Sequence, residues 1–149
     1  MMGVVAPVLA LTCVGFLISP RWVEFGRVNI PSWVRLMGAP IAILGLQLFA
    51  WMFRHLGLNV TSTSMPRGNA TLVTSGPYRW IRHPMYTAAL ILVAGAALLT
   101  ANLVVIVGGV AMFLLLAARS GVEEERLVGK FGEAYVAYQR RTGRFIPRL

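Results

Sequence analysis

Nearly all the groups able to do chemistry in this chain are gathered in two short stretches. The first is Leu72-Val73-Thr74-Ser75-Gly76-Pro77-Tyr78-Arg79-Trp80-Ile81-Arg82-His83-Pro84-Met85-Tyr86, with two prolines, two arginines, three aromatics and one of the chain's two histidines. The second begins at Arg119 and passes through Glu123, Glu124 and Glu125; with Glu133 these are four of the five acidic residues. Imidazole, guanidinium and carboxylate side chains together can bind polar ligands of either charge. A carboxylate accepts hydrogen bonds or balances a cation, an arginine grips a carboxylate through two parallel bonds, and aromatic faces favour flat rings and cations.

Each residue also has a plainer role. Arg79 and Arg82 can be phosphate-binding flankers at a membrane surface. His83 can cap the helix that starts at Pro84. Glu123–Glu125 can be a solvated acidic turn, and Tyr78, Trp80 and Tyr86 can be interfacial anchors. Their number on one face, and the rigid spacing around Pro77 and Pro84, favour a site. Other chemistries fit poorly. Two histidines, His55 and His83, with no cysteine near either, do not make a zinc site. No glycine-rich phosphate fingerprint is present, so neither a P-loop nor a dinucleotide-binding fold is expected. No Ser–His pairing stands out.

The elements that must position these residues are membrane helices. The 149 residues make one domain by length, 57% are hydrophobic and only 13% charged, and the mean hydropathy is +0.70. Long apolar runs in such a chain argue for spans rather than a water-soluble core. The net charge of +9 flanks those runs instead of forming a basic domain, so anionic lipid is the expected counter-charge and nucleic acid is not. Cys13 is single and cannot form an intramolecular disulfide. No basic segment precedes the first apolar run, and a cleaved signal peptide is not expected.

The pattern predicts an all-α membrane fold with about four spans, over residues 1–18, 33–53, 85–99 and 103–118. A loop over 54–82 and a tail over 119–149 complete the single domain. Gln47 is the polar exception inside the second span, and Arg35 near its start can snorkel to the headgroups. The apolar run 85–118 would be ~50 Å long as one straight helix, too much for one crossing. Thr100-Ala101-Asn102 is its only polar interruption and is taken as the turn of a tight hairpin. Gly95, Ala96 and Ala97 are expected to face Gly108, Gly109 and Ala111 across it. Eleven of the 14 basic residues then lie on the side of the loop and tail, which places that side in the cytoplasm, most simply at the cytoplasmic membrane.

In the tail, Glu124, Leu127/Val128, Phe131, Ala134/Tyr135 and Tyr138 recur at three- and four-residue spacing, one face of an amphipathic helix ended by Gly143 and Pro147. Glu124 falls in line with that stripe and Glu125 points the other way. The hairpin brings Arg82-His83-Pro84 near Arg119 and the Glu123/Glu124 pair, beside the bilayer, where ionisable groups are functional by default.

Gly76-Pro77-Tyr78-Arg79-(x)2-Arg82-His83-Pro84-Met85-Tyr86, followed by Glu123-Glu124-(x)2-Leu127-(x)3-Phe131-Gly132-(x)2-Tyr135-(x)2-Tyr138, resembles the isoprenylcysteine carboxyl methyltransferase family and the wider group of phospholipid N-methyltransferases. Arg144-(x)2-Pro147 is similar to that family's closing segment, and the likeness covers residues 56–149. The resemblance implies a membrane enzyme using S-adenosylmethionine without a Rossmann fold and without a metal. It implies a cofactor pocket lined by Tyr78, Arg82, His83, Pro84, Tyr86, Glu123 and Glu124, and a catalytic pair at Arg119 and Glu124. The implied acceptor is an amphiphilic small molecule or lipidated substrate reaching its head from the bilayer, either an isoprenylcysteine-type carboxylate or a lipid amine. A non-catalytic membrane assembly protein is the rival reading. In a straight helix Arg119 and Glu124 point ~140° apart, so a shared site requires a kink at Gly121 or reach by the arginine.

Overall fold

The computed structural model describes residues 24, 26–56 and 71–148. The first expected span and residues 57–70 of the long loop lie outside the described residues. The described part is all-helical, without strands. A short helix α1 (Ser32–Leu36) leads into α2 (Gly38–Leu56). A 3-10 turn (Gly76–Arg79) precedes α3 (Pro84–Thr100), α4 (Leu103–Phe131) and α5 (Glu133–Arg141).

Two stretches, Ser32–Leu56 and Leu103–Phe131, are long and apolar enough to cross a membrane. Only 17% of the apolar window in each is buried. A core helix of a soluble protein would be covered, whereas here Leu36, Ile43, Leu44, Leu46, Leu114 and Leu115 are exposed. Among the 17 residues of α3 the rise is only ~25 Å, short of a ~30 Å hydrocarbon core.

The closest packing is between α2 and α3, not across the hairpin. A Cβ on Gly45 would stand 2.8 Å from the Leu92 amide nitrogen, and one on Gly95 2.5 Å from that of Ala42. Small residues on facing ridges let the two backbones touch, the usual device where lipid supplies no hydrophobic drive between helices. The expected facing of Gly95 and Gly108 is therefore corrected: Gly95 packs on α2, and a Cβ on Gly108 would meet nothing within 4 Å. Gly109 does meet α3, at Val93. Gly95→Leu should overpack this contact and cost about 1–3 kcal/mol. Gly108→Leu should stay within about 0.5 kcal/mol of wild type, both read from thermal unfolding in detergent.

Between α3 and α4 the chain reverses at Ala101, in the left-handed region with φ 47°. Asn102 is fully buried, and its side chain accepts from the Val104 amide at 2.8 Å as the N-cap of α4. The segment before α1 staples this turn. The Val28 amide donates to the Ala101 carbonyl and the Leu103 amide to the Gly26 carbonyl, each at 2.7 Å. Arg35 donates through Nε and Nη2 to the Leu99 carbonyl at 3.3 and 3.1 Å, covering an orphan acceptor at the end of α3.

The tail departs from expectation. α4 runs unbroken from Leu103 to Phe131, 29 residues, with no stop between the apolar run and the charged tail. At ~43 Å it outruns a ~30 Å hydrocarbon core, so the turns carrying Arg119 and the glutamates project from the same rod that carries the apolar residues. Ser120-Gly121 does not break it. The Ser120 hydroxyl is satisfied by the Ala117 carbonyl at 2.6 Å, and Arg119 pairs with Glu123 one turn on. The break comes at Gly132 instead, at φ 55° and ψ −135°, a conformation that glycine adopts without steric cost. There α5 turns back towards the start of α3.

Candidate active site

The site is built where three segments meet: the 3-10 turn and start of α3, the charged end of α4, and the strap after α5. Pro77 opens the 3-10 turn and Pro84 occupies the first turn of α3, where a missing N–H costs nothing. The strap pairs with the segment between them chiefly by backbone bonds. Gly143 donates to the Trp80 carbonyl at 3.0 Å, Arg82 to the Gly143 carbonyl at 2.9 Å, and His83 to the Arg144 carbonyl at 3.1 Å. The Thr87 hydroxyl adds a bond to the Phe145 carbonyl at 2.8 Å, and the Tyr138 hydroxyl one to the Tyr78 carbonyl at 2.7 Å. Arg82 Nη1 donates to the Gln139 carbonyl at 3.0 Å and to that of Thr142, capping the C-terminus of α5.

Glu124 is the hub. Its residue is 6% exposed, while Glu125, one position on, faces solvent. Oε1 accepts from Arg82 Nε at 2.9 Å, His83 Nε2 at 3.1 Å and Arg144 Nε at 3.3 Å. Oε2 accepts from Gln139 Nε2 at 3.1 Å and Arg144 Nη2 at 3.0 Å. A carboxylate offers about four lone-pair sites, so Glu124 is saturated by the protein. Burial alone would raise its carboxyl, but the hydrogen bonds from His83, Arg144 and Arg82 outweigh burial and hold it well below the usual carboxylate range. Tyr138 on α5 is driven the other way: burial pushes its phenol up to about 12, against the opposing charges of Arg82 and Arg141.

A second, outer tier surrounds Glu123. Its Oε2 accepts from the Tyr86 hydroxyl at 2.6 Å and its Oε1 from Arg119 Nε at 2.9 Å. The Arg119 and Glu123 side chains are 28% and 20% exposed, so this tier meets the surroundings. His83 joins the tiers. An ionised carboxylate only accepts, which puts the ring proton on Nε2 towards Glu124, while Nδ1 lies 3.8 Å from Glu123 Oε2. The imidazole stacks on Tyr86, with centroids 5.2 Å apart and an interplanar angle of 6°. Phe145 from the strap leans on both and on Phe113 of α4, at 5.8, 6.4 and 5.5 Å.

The structure thus brings together Arg82, His83, Tyr86, Arg119, Glu123 and Glu124. One expectation is corrected. Arg119 reaches Glu123 rather than Glu124, so no kink at Gly121 is needed; i,i+4 spacing makes the pair on a straight helix. Tyr78 and Pro84 contribute support: Tyr78 anchors α5 through its carbonyl, and Pro84 is buried at the start of α3. Sequence reasoning missed Gln139, Thr142, Arg144 and Phe145 as site residues. Only Arg144 had a signal, as part of the closing segment, and nothing there showed that its guanidinium returns to Glu124. Since Glu125 points away, Glu125→Ala should change thermal stability by under about 0.5 kcal/mol; damage equal to that of Glu124→Ala would refute this facing.

Taken together, a helical fold with exposed apolar faces and a charged cluster at one end of its helices defines a membrane protein with a polar site. Residues 33–134 match the family model described as phospholipid methyltransferase, and the chain belongs to that family. It is similar to the cobalt-zinc-cadmium resistance protein CzcN of Cupriavidus metallidurans, 34% identical over 119 residues that cover 79% of this chain and 53% of the relative. It is also similar to protein-S-isoprenylcysteine O-methyltransferase of Rattus norvegicus, 29% identical over 136 residues, 85% of this chain and 48% of the relative. Among solved structures, the eukaryotic intramembrane Ras methyltransferase ICMT (isoprenylcysteine carboxyl methyltransferase) matches with a TM-score of 0.69 at 27% identity, over 77% of this chain and 42% of that one. The chain spans about half the length of the curated relatives it matches.

Proposed function

We propose that the chain is a membrane methyltransferase that uses S-adenosylmethionine and acts on the head of an amphiphilic acceptor, with an isoprenylcysteine-type carboxylate as the leading substrate. The observation that carries this reading is the two-tier Glu124/Glu123 cluster at the mouth of apolar helices, in a family whose relatives are named for such a reaction. We further infer four spans, the fourth being the apolar part of α4 over residues 103–118, an amphipathic tail, and a site on the cytoplasmic face. Support comes from the placing of charge. Arg27 and Arg35 lie beside the Ala101–Asn102 turn, whereas Arg82, Arg119 and Arg144 gather at the opposite end of the same helices.

The donor set suits S-adenosylmethionine. His83, Tyr86 and Phe145 offer aromatic faces to a flat base or a sulfonium. Glu123, partly exposed, keeps acceptor capacity for ribose hydroxyls or an ammonium, and the guanidinium groups of Arg119 and Arg144 suit a carboxylate. When bound, the cofactor supplies a methyl group already activated by its positive sulfur. The chain's own part is then positional. Glu124 holds Arg82, His83 and Arg144 in place, Arg119 orients the acceptor's carboxylate, and the Phe145 strap helps to exclude water.

The family's description favours one second reading, methylation of a phospholipid amine, in which Glu123 would face the acceptor's charge. Calorimetric titration of the purified chain with S-adenosylmethionine tests the common core. Binding is expected in detergent or nanodiscs; its absence in both would overturn the reading and favour a non-catalytic assembly protein. Labelled methyl transfer to an isoprenylcysteine or to phosphatidylethanolamine then decides the acceptor.

A further inference from the structure

Away from the glutamate cluster, the 3-10 turn and the end of α5 enclose an open cleft of about 330 Å³ lined by Thr74, Arg79, Tyr138 and Arg141. Its charge is unbalanced. The chain has five acidic residues, Glu24, Glu123, Glu124, Glu125 and Glu133. Glu123 and Glu124 are committed to Arg119, Tyr86, Arg82, His83, Gln139 and Arg144, and no ion pair among the described residues includes Arg79 or Arg141. Two guanidinium groups therefore share one cleft without a carboxylate, with a threonine hydroxyl beside them. This is the donor set that phosphate oxygens match.

The surroundings place the cleft at the level of lipid headgroups. Trp80, adjacent to Arg79, is 45% exposed. The Arg79 guanidinium lies 6.0 Å from its ring centroid, and the ring packs against Trp51 of α2 at 5.7 Å. Paired tryptophans at the end of apolar helices mark the membrane–water interface. We propose that the Thr74–Arg79–Tyr138–Arg141 cleft is a phosphate site, separate from the Glu123/Glu124 cluster, that seats the headgroup phosphate of an anionic phospholipid. A headgroup held there bridges Arg79 on the 3-10 turn and Arg141 on α5, the two elements joined by the Tyr138–Tyr78 bond. It thereby clamps the scaffold that carries Arg82 and the strap. This inference does not depend on methyl transfer.

Native mass spectrometry of the full chain in neutral detergent, titrated with phosphatidylglycerol, tests it. Wild type should retain one lipid, and R79Q/R141Q should bind it roughly tenfold or more weakly, the scale of two interfacial basic residues. R126Q/R140Q removes the same charge outside the cleft and should bind as wild type does. Equal weakening in both double variants would reduce the effect to net charge and overturn the site. Inorganic phosphate forms the second arm, read as a thermal shift. Stabilisation of wild type but not R79Q/R141Q by phosphate, with no difference in lipid retention, would assign the cleft to a soluble ligand and overturn the lipid assignment. If R79Q/R141Q does not fold, R79K/R141K keeps both charges and loses the planar fork. It should bind the lipid several-fold more weakly, and undiminished binding would overturn recognition by paired guanidiniums.

Discussion

Glu124→Ala is expected to unfold the polar end of the molecule and abolish turnover together. The substitution strips the shared acceptor from Arg82, His83, Gln139 and Arg144 at a position that is 6% exposed. Removing one partner of a buried charge network costs about 3–5 kcal/mol, because Arg82, whose side chain is 12% exposed, would stay buried without its counter-charge. Arg82 would also lose its lateral hold while capping α5, so the damage should spread to the strap. Thermal unfolding in detergent should show the loss. Glu124→Gln separates size from charge. Because the folded carboxyl is depressed, Glu124 contributes stability at pH above the ordinary carboxylate range. That contribution disappears as pH falls through the range towards the depressed value. Wild type should therefore lose stability on acidification over that window, and Glu124→Gln should be less stable at neutral pH with a flatter acid limb. An alanine variant as stable as wild type would refute the hub.

Arg119→Lys is expected to separate turnover from binding. Arg119 meets Glu123 through Nε at 2.9 Å in the outer, partly exposed tier, so its loss leaves the Glu124 hub and the fold in place. Lysine keeps the charge and loses the fork that holds a carboxylate in two bonds. With a carboxylate acceptor, kcat/KM should fall roughly a hundredfold or more, the scale of removing one positioned donor. Affinity for S-adenosylmethionine should change only a few-fold. A parallel fall in cofactor affinity would place Arg119 in the cofactor pocket. No change in either would point to a lipid-amine acceptor.

Much of the site was legible because its members sit in stiff local frames. Pro77 and Pro84 fix the spacing of Arg82 and His83, and the stripe through Glu124, Leu127 and Phe131 turns that glutamate inward. What was not legible depended on contacts without a side-chain signature. The strap reaches the Trp80–His83 segment through backbone bonds, and those bonds carry Arg144 and Phe145 into the cluster. Gln139 arrives only because Gly132, rather than Gly121, reverses the helix. A site shared by Arg119 and Glu124 requires a kink at Gly121 or reach by the arginine, yet helical bonding and the Arg119–Glu123 pair keep α4 unbroken there and move the arginine's partner by one residue. Likewise, small residues on α2, α3 and α4 all permit close approach. Composition does not choose among them, and Gly95 found α2.

On the proposed function, the cluster around His83, Tyr86, Arg119, Glu123 and Glu124 should hold S-adenosylmethionine. Photo-cross-linking of the full chain with methyl-labelled S-adenosylmethionine, followed by peptide mapping, tests it most directly. Label is expected on peptides from 78–86 and 119–145, suppressed by excess S-adenosylhomocysteine. Label confined to 26–56, or no suppressible label at all, would contradict it.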